Sequence, residues 1–255
     1  SGVTIMTAGA PPAPQVIRSM ENMGAHVLHT YGLTETYGPT AICAIQPDWK
    51  EKSSEEVANL KARQGVAYVV ADTGMRVVDT EMNDVERNGS QMGEVVMNGN
   101  IVMSGYFDDE DATNKAFEGG WFHSGDLAVW HPDGYIELKD RAKDIIISGG
   151  ENISSQEVEK VIMEHDGVLE VSVVGVPDER WGEVPKAFVV SREGVTVSEE
   201  EIVTFTRDRI AHFKAPKYVE FGELPKTATG KIQKYVLREK EWEGKEKRIQ
   251  GSSLT

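Results

Sequence analysis

Lys-Asp-Arg-Ala-Lys-Asp-Ile-Ile-Ile-Ser-Gly-Gly-Glu-Asn-Ile-Ser, residues 139–154, is the stretch on which the reading of this chain turns. Lys139, Asp140, Arg141, Lys143 and Asp144 form a run of charge that no core accepts unpaired. Ile145, Ile146 and Ile147 carry the signature of a short buried strand. Gly149 and Gly150 then permit positive φ and close approach of backbone. A solvated, charged joint that feeds a strand and a glycine turn describes a boundary between two moving bodies. An ordinary polar loop between strands has the same composition, so spacing alone leaves both readings open.

On the N-terminal side, residues 3–7 read as a strand and Ala8-Gly9-Ala10-Pro11-Pro12 as the turn leaving it. A helix is expected from about Ala13, with Val16, Ile17, Met20 and Met23 on one face and Gly24 as its stop. Residues 27–31 form the next strand, ending at Gly32. This β-turn-α-β unit is the building block of parallel α/β sheets, whose ligands gather at the carboxyl ends of strands. The chain opens inside its first strand, and the expectation is a piece of something longer.

The second turn, Tyr31-Gly32-Leu33-Thr34-Glu35-Thr36-Tyr37-Gly38-Pro39-Thr40, places two hydroxyls around a carboxylate. Hydroxyls donate to phosphate oxygens and a carboxylate holds a hard cation such as Mg²⁺; turn capping by Thr34 and Thr36 explains the same residues. Residues 47–64 are polar, helix or loop. Short strands are then expected at 66–70, 75–78, 93–97, 121–123, 127–130 and 135–138, with a helix around 109–117. Asn98-Gly99 and Asp133-Gly134 supply hairpin-type turns. Evenly spaced short strands suggest a small β-barrel or a distorted sheet.

Beyond the glycine pair, Ser154 and Glu157 cap a helix running to about His165, and Ser198 and Glu201 cap another. Strands at 168–176, 185–190 and 218–221 alternate with them, which gives a compact α+β body with a polar tail after Trp242. The expected organisation is therefore an α/β part over 1–64, a β-barrel over 65–142, and a mobile α+β domain over 143–255.

Composition narrows the function classes. A 255-residue chain with 39% hydrophobic and 27% charged residues fits a globular protein. A net charge of −15 argues against nucleic acid as the main partner, yet leaves room for a small anion held by local donors. No long apolar run predicts a membrane span. The single cysteine, Cys43, excludes an internal disulfide and a multi-cysteine metal site. The acidic balance suits a cytoplasmic setting.

Several segments, in order along the chain, resemble motifs of the adenylate-forming enzymes, a superfamily that includes acyl-CoA synthetases, luciferases and adenylation domains. The segment Tyr31-Gly-Leu-Thr-Glu-Thr36 resembles the superfamily's signature turn, and Ala8-Gly-Ala-Pro11 resembles its adenine-side turn. The resemblance implies that Gly9, Ala10, Pro11, Tyr31 and Gly32 bind nucleotide, with Tyr31 stacking on adenine. It makes Thr34 a phosphate contact and Glu35 a Mg²⁺ ligand. Gly120-Trp-Phe-His-Ser-Gly-Asp126 is similar to the ribose-binding segment, which assigns Asp126 to the ribose hydroxyls and Arg141 to their second partner. Outside that context a turn aspartate after glycine is the better reading of Asp126, and His123 reads as structural.

Leu224-Pro-Lys-Thr-Ala-Thr-Gly-Lys231 looks superficially like a phosphate loop, but the opening glycine is absent and Ile232 stands where Ser or Thr is needed. It instead resembles the family's C-terminal lysine segment, which implies that Lys231 meets charge building on the acyl-phosphate centre. Ser148-Gly-Gly-Glu-Asn152 resembles the segment lining the pantetheine tunnel, so that Gly149, Gly150 and Glu151 would face CoA, with Trp181, Phe213 and Lys217 near its nucleotide. Lys143 falls at the family's hinge. The implied activity is an acyl-CoA synthetase that joins a short- or medium-chain carboxylic acid to CoA through acyl-AMP. Its cofactors would be ATP/AMP and Mg²⁺, with CoA as co-substrate. No segment matches the family's Ser/Thr/Gly-rich phosphate loop, so the chain by itself is expected to be inactive or nearly so. A carrier-protein-loading adenylation enzyme, a luciferase-like oxygenase and a nucleotide-binding fragment without activity are the alternatives.

Overall fold

The computed structural model describes residues 2–9, 12–68, 74–228 and 230–244. They form two compact units that divide between Lys139 and Asp140, close to the expected 142/143 boundary.

In the first unit, β1 (Thr4–Thr7), α1 (Pro14–Asn22) and β2 (His26–Leu33) make the expected β-α-β unit, with β1 and β2 parallel. Pro14 starts α1, where its missing N–H is no loss, and Gly24 at φ +89° turns the chain out of it. Ile17 packs with Val27 of β2 and with Ala58 of α2 (Ser54–Lys61), and a Lys61–Glu21 ion pair joins the two helices. The sheet continues through β3 (Gly38–Ile42) to β4 (Val66–Ala67), in the order β1-β2-β3-β4.

A second sheet holds β5 (Gly74–Val78), β6 (Met92–Asn98), β7 (Phe122–Trp130) and β8 (Ile136–Arg141), in that order, with α3 (Glu110–Ala116) between β6 and β7. The strands expected at 121–123 and 127–130 are one strand, β7, whose pairing with β6 slips between Glu94 and Val96. Among the described residues the four strands are ordered as an open sheet, and no closed barrel is found. Instead of reaching β5, Ile136 of β8 exchanges backbone hydrogen bonds with Gly65, and Leu138 N–H donates to Gln64 Oε1 at 2.7 Å. The first sheet thus takes up the edge that closure would have used. Arg63 fastens the same seam, donating to both Asp133 oxygens at 3.2 and 2.8 Å and lying 4.7 Å from the Tyr135 ring. Tyr31 and Ala41 of the first sheet share one core with Val77, Val95, Met97, Phe122 and Ile136 of the second.

The second unit contains β9 (Ile146–Ser148), β10 (Glu151–Ile153), α4 (Ser155–Ile162), β11 (Val168–Asp178), β12 (Gly182–Ser191), α5 (Glu199–Arg207), β13 (Tyr218–Phe221) and α6 (Lys234–Trp242). Its sheet runs β10-β9-β12-β11, with β13 parallel to β12. Alternation along β11 divides the core. Val171 and Val173 meet Val158, Ile162 and Ile202 of α4 and α5, while Val174 and Val176 meet Leu224 and Leu237 on the α6 side. Ser154 and Ser198 cap α4 and α5 as expected, each accepting at 3.1 Å from the N–H of Glu157 and Glu201.

Candidate active site

The first unit gathers its polar residues where β2 ends. Thr34–Thr36 form a single 3-10 turn, held by the Leu33 N–H donating to Thr36 Oγ1 at 2.9 Å. Thr36 is thereby occupied in the turn, while Thr34 is exposed and Glu35 is half-buried. The Glu35 carbonyl accepts from Met103 N–H at 2.7 Å, and its carboxylate accepts from Tyr106 Oη at 3.3 Å. Burial and the neighbouring Glu35 charge both push the Tyr106 phenol upward, so it remains a donor at neutral pH. Sequence reasoning missed Tyr106, whose only signal was an aromatic in an exposed Ser-Gly-Tyr-Phe turn.

Tyr31 donates from its hydroxyl to Asp126 Oδ2 at 2.8 Å, and both residues are buried. The irregularity of β7 before Asp126 is fixed by Gly125, at φ +69°, whose N–H donates to Glu94 Oε1 at 2.9 Å. Glu94 also holds His123 Nδ1 at 2.8 Å, and His123 Nε2 lies 3.0 Å from the Glu118 carbonyl. Both His123 ring nitrogens therefore have partners, which fits its structural reading. Glu94 is the second residue that sequence reasoning missed. Gly9 is exposed at φ +90°, and Gly32 is crowded by the Gly38 backbone, which a Cβ would strike. Ala10 and Pro11 lie outside the described residues. The described residues hold no cluster of three or more His, Cys, Asp or Glu side chains suited to a metal. A single carboxylate such as Glu35 suits Mg²⁺, which commonly takes one or two carboxylates together with phosphate oxygens.

In the second unit the glycine pair is the two-residue turn of the β9–β10 hairpin, with Gly149 at φ +61° and Gly150 at φ +90°. Gly149 N–H donates to the Trp181 carbonyl at 2.8 Å, and a Cβ on Gly149 would come 2.7 Å from the Trp181 ring. Asp178 arranges the neighbourhood: Oδ1 accepts from Arg180 and Trp181 N–H at 2.9 and 3.0 Å, and Oδ2 from Lys217 Nζ at 2.5 Å. The Lys217 contact and these N–H groups hold the Asp178 carboxyl below its ordinary range, and the same contact raises Lys217. Gly149, Trp181 and Lys217 are thus linked through Asp178, which the sequence did not single out. Phe213 sits in the His212–Lys214 turn, about half exposed, and Glu151 is exposed.

Lys231 is exposed on a tight loop. Thr227 N–H donates to its carbonyl at 2.8 Å, its own N–H donates to Thr227 Oγ1 at 3.1 Å, and Gly230 turns at φ +85°. Arg141 and Lys143 lie at the start of this unit, where Asp144 and Ile145 N–H donate to the Arg141 carbonyl at 2.8 and 3.2 Å. The expected nucleotide residues are therefore divided: Tyr31, Gly32, Thr34, Glu35 and Asp126 in the first unit, Arg141 and Lys231 in the second.

Residues 1–107 match the family model described as AMP-binding enzyme, and residues 157–231 match the AMP-binding enzyme C-terminal domain. The chain belongs to the AMP-binding enzyme family. Among its AMP-binding relatives, an acetate–CoA ligase of Humulus lupulus, CCL3, is 55% identical over 244 residues, covering 93% of this chain and 43% of the relative. A 4-hydroxybutyrate–CoA ligase of Metallosphaera sedula is 52% identical, covering 92% of this chain and 43% of the relative. Acetate/butyrate–CoA ligase AAE7, peroxisomal, of Arabidopsis thaliana is also 52% identical, with 93% and 43% covered. The chain thus spans less than half the length of these relatives. ATP-bound MatB from Rhodopseudomonas palustris matches with a TM-score of 0.80 at 30% identity, over 94% of this chain and 45% of that structure.

Proposed function

We propose that the whole protein is an AMP-forming acyl-CoA synthetase for a short- or medium-chain carboxylic acid. The observation that carries this reading is the Asp126 carboxylate fixed by Tyr31 in the first unit; the second unit, taken by itself, offers an exposed Lys231 loop and a Gly149–Gly150 turn. The names of the relatives, acetate, butyrate and 4-hydroxybutyrate ligases, favour a small acid.

In this reading Asp126 accepts from the ribose hydroxyls, with Arg141 as second partner, and Thr34 donates to phosphate. Glu35 would hold Mg²⁺, which when bound neutralises phosphate charge. Gly9 and Gly32 bring bare backbone beside the nucleotide, and the Tyr31 ring flanks it. The substrate carboxylate attacks the α-phosphorus and pyrophosphate leaves. Lys231 offsets the charge that builds there, an interaction worth about 4 kcal/mol for unit charges 4 Å apart at an effective dielectric of 20. The CoA thiol then adds to the acyl carbonyl and AMP departs. Gly149, Gly150 and Glu151 line the way for the thiol arm, while Trp181, Phe213 and Lys217 meet the CoA nucleotide. Lys143 is the pivot between the two half-reactions. No helix among the described residues is long and apolar enough to cross a membrane, and the acidic balance favours the cytoplasm.

The test is made in the full-length protein. Lys231→Ala should slow acid-dependent ATP–pyrophosphate exchange by at least about 100-fold, the effect of removing one oxyanion donor. Thioester formation from supplied acyl-AMP should largely survive. Turnover that proceeds without CoA and loads a carrier protein would replace this reading with the carrier-loading one.

A further inference from the structure

Lys234, the first residue of α6, is a lysine turned inward. Its side chain is 18% exposed, and its ammonium lies 2.7 Å from Glu159 Oε1 of α4 and 2.5 Å from Ser155 Oγ, to which it donates. Glu159 Oε1 also accepts from the Val173 N–H of β11 at 2.7 Å, satisfying a donor on the strand that ends the sheet. Ser155 N–H in turn donates to Oδ2 of the buried Asp140 at 2.5 Å. One turn along α6, Arg238 donates to Asp144 Oδ1 at 2.6 Å and to the Lys143 carbonyl at 3.3 Å. Burial pushes the Lys234 ammonium toward losing its proton, which the Glu159 and Asp140 carboxylates more than offset, while burial raises both of those carboxyl groups above their ordinary range.

Packing does not require a cation here, because Leu237 already supplies the apolar contact of α6. A buried ion pair contributes little net stability compared with well-packed apolar residues of the same volume. What it adds is a fixed geometry, and the element fixed is the end of the Lys231 loop. Besides the Thr227–Lys231 hydrogen bonds and the Lys226–Ile232 bridge within it, the loop is fastened at each end among the described residues. At its start Lys226 donates to both Glu170 oxygens at 2.7 Å, an exposed pair of the kind that contributes little. At its end, Gln233 N–H donates to the Pro225 carbonyl at 2.8 Å and Lys234 drops into its buried contacts. Only Ile232 and Gln233 separate Lys231 from that anchor.

We propose that Lys234 is a positioning residue for Lys231: its contacts with Glu159 and Ser155 fix the start of α6 and hence the point from which the Lys231 ammonium reaches an anionic substrate. This rests on the reading of Lys231 as the adenylation lysine. Lys234 itself touches no substrate. The geometry also separates the two half-reactions, since the Gly149–Gly150 turn is held by Trp181 and not by α6.

Lys234→Met, Lys234→Arg and the milder Glu159→Gln are compared with wild type in the full-length protein. Lys234→Met should lower kcat for ATP–pyrophosphate exchange about tenfold or more, equivalent to about 1.4 kcal/mol, with the KM for ATP unchanged. Thioester formation from supplied acyl-AMP should stay within about twofold of wild type. Glu159→Gln should shift in the same direction by less, and Lys234→Arg should recover most of the rate. Equal loss of both half-reactions, or no loss in pyrophosphate exchange, overturns the proposal. Hydrogen–deuterium exchange of the present chain supplies a reading independent of activity. In Lys234→Met the Gly230, Lys231 and Gln233 amides should exchange faster while the β11–β12 amides other than Val173 keep their rates. If wild type shows no pyrophosphate exchange, the adenylation reading fails, whereas unchanged amide rates alone overturn the positioning role.

Discussion

Tyr31 and Asp126 hold each other from positions 95 residues apart, and no spacing rule connects them. Motif resemblance named both, but each for its own contact with nucleotide. The pairing became visible only once β2 and β7 were placed around a shared core. Lys234 is the converse case. Charge in a sequence is read as exposure, and nothing in the sequence marked Lys234 as buried. A hydrogen bond to a charged group contributes about 1.5–3 kcal/mol, and Tyr31→Phe removes one donor from Asp126. Chemical denaturation should register a loss of that size. Calorimetric titration of the chain with AMP should show weaker binding than wild type; an unchanged affinity would mean that the hydroxyl does not orient the carboxylate for ribose.

Elements with a local signal were legible and those decided by partners were not. Helices α4 and α5 announced themselves through Ser-x-x-Glu caps, whereas α6 has no side-chain cap and buries a single large apolar residue, Leu237. Strand β3 was hidden because Gly38-Pro39 has the composition of a turn, yet it pairs with β2 from Gly38 onward. Strand spacing left barrel and open sheet undecided for a similar reason, since it says nothing about which edge an outer strand will choose. The Gly149–Gly150 turn shows an element whose backbone requirement was read correctly: positive φ at both residues is what this hairpin needs. Gly149→Ala should cost about 1–2 kcal/mol for a left-handed alanine and displace the Trp181 ring. In the full-length protein, CoA-dependent turnover should then fall while ATP–pyrophosphate exchange is unaffected. Equal damage to both would place the turn outside the thioester step.

At the scale of the molecule, the chain divides within the charged run, between Lys139 and Asp140, and the sequence did not disclose how the charges around that division are treated. In the first unit Glu137 is pushed up by burial and pulled down further by the His131 hydrogen bond and by Lys139, from an ordinary 4.5 to about 2. A carboxylate depressed on folding stabilises the native state above its unfolded pKa. That contribution is therefore present above about pH 4.5 and lost as pH falls toward 2. Glu137→Gln should be less stable than wild type at neutral pH, and urea unfolding followed by tryptophan fluorescence should show the difference shrinking through that window. A difference independent of pH would assign the effect to packing instead.

The seam at Gly65 and Ile136 and the clasp at Lys234 together bear on how such a protein can be recombined with its relatives. A crossover near residues 69–73 would draw the two sides of the seam from different parents, so that Arg63 and Asp133, or the paired backbones, would have to match by chance. A crossover at 139/140 leaves the seam whole, and the segment from Asp140 onward carries Ser155, Glu159, Lys234 and Arg238 as one inherited set. Exchange at that junction would move the Lys231 loop together with its own anchorage.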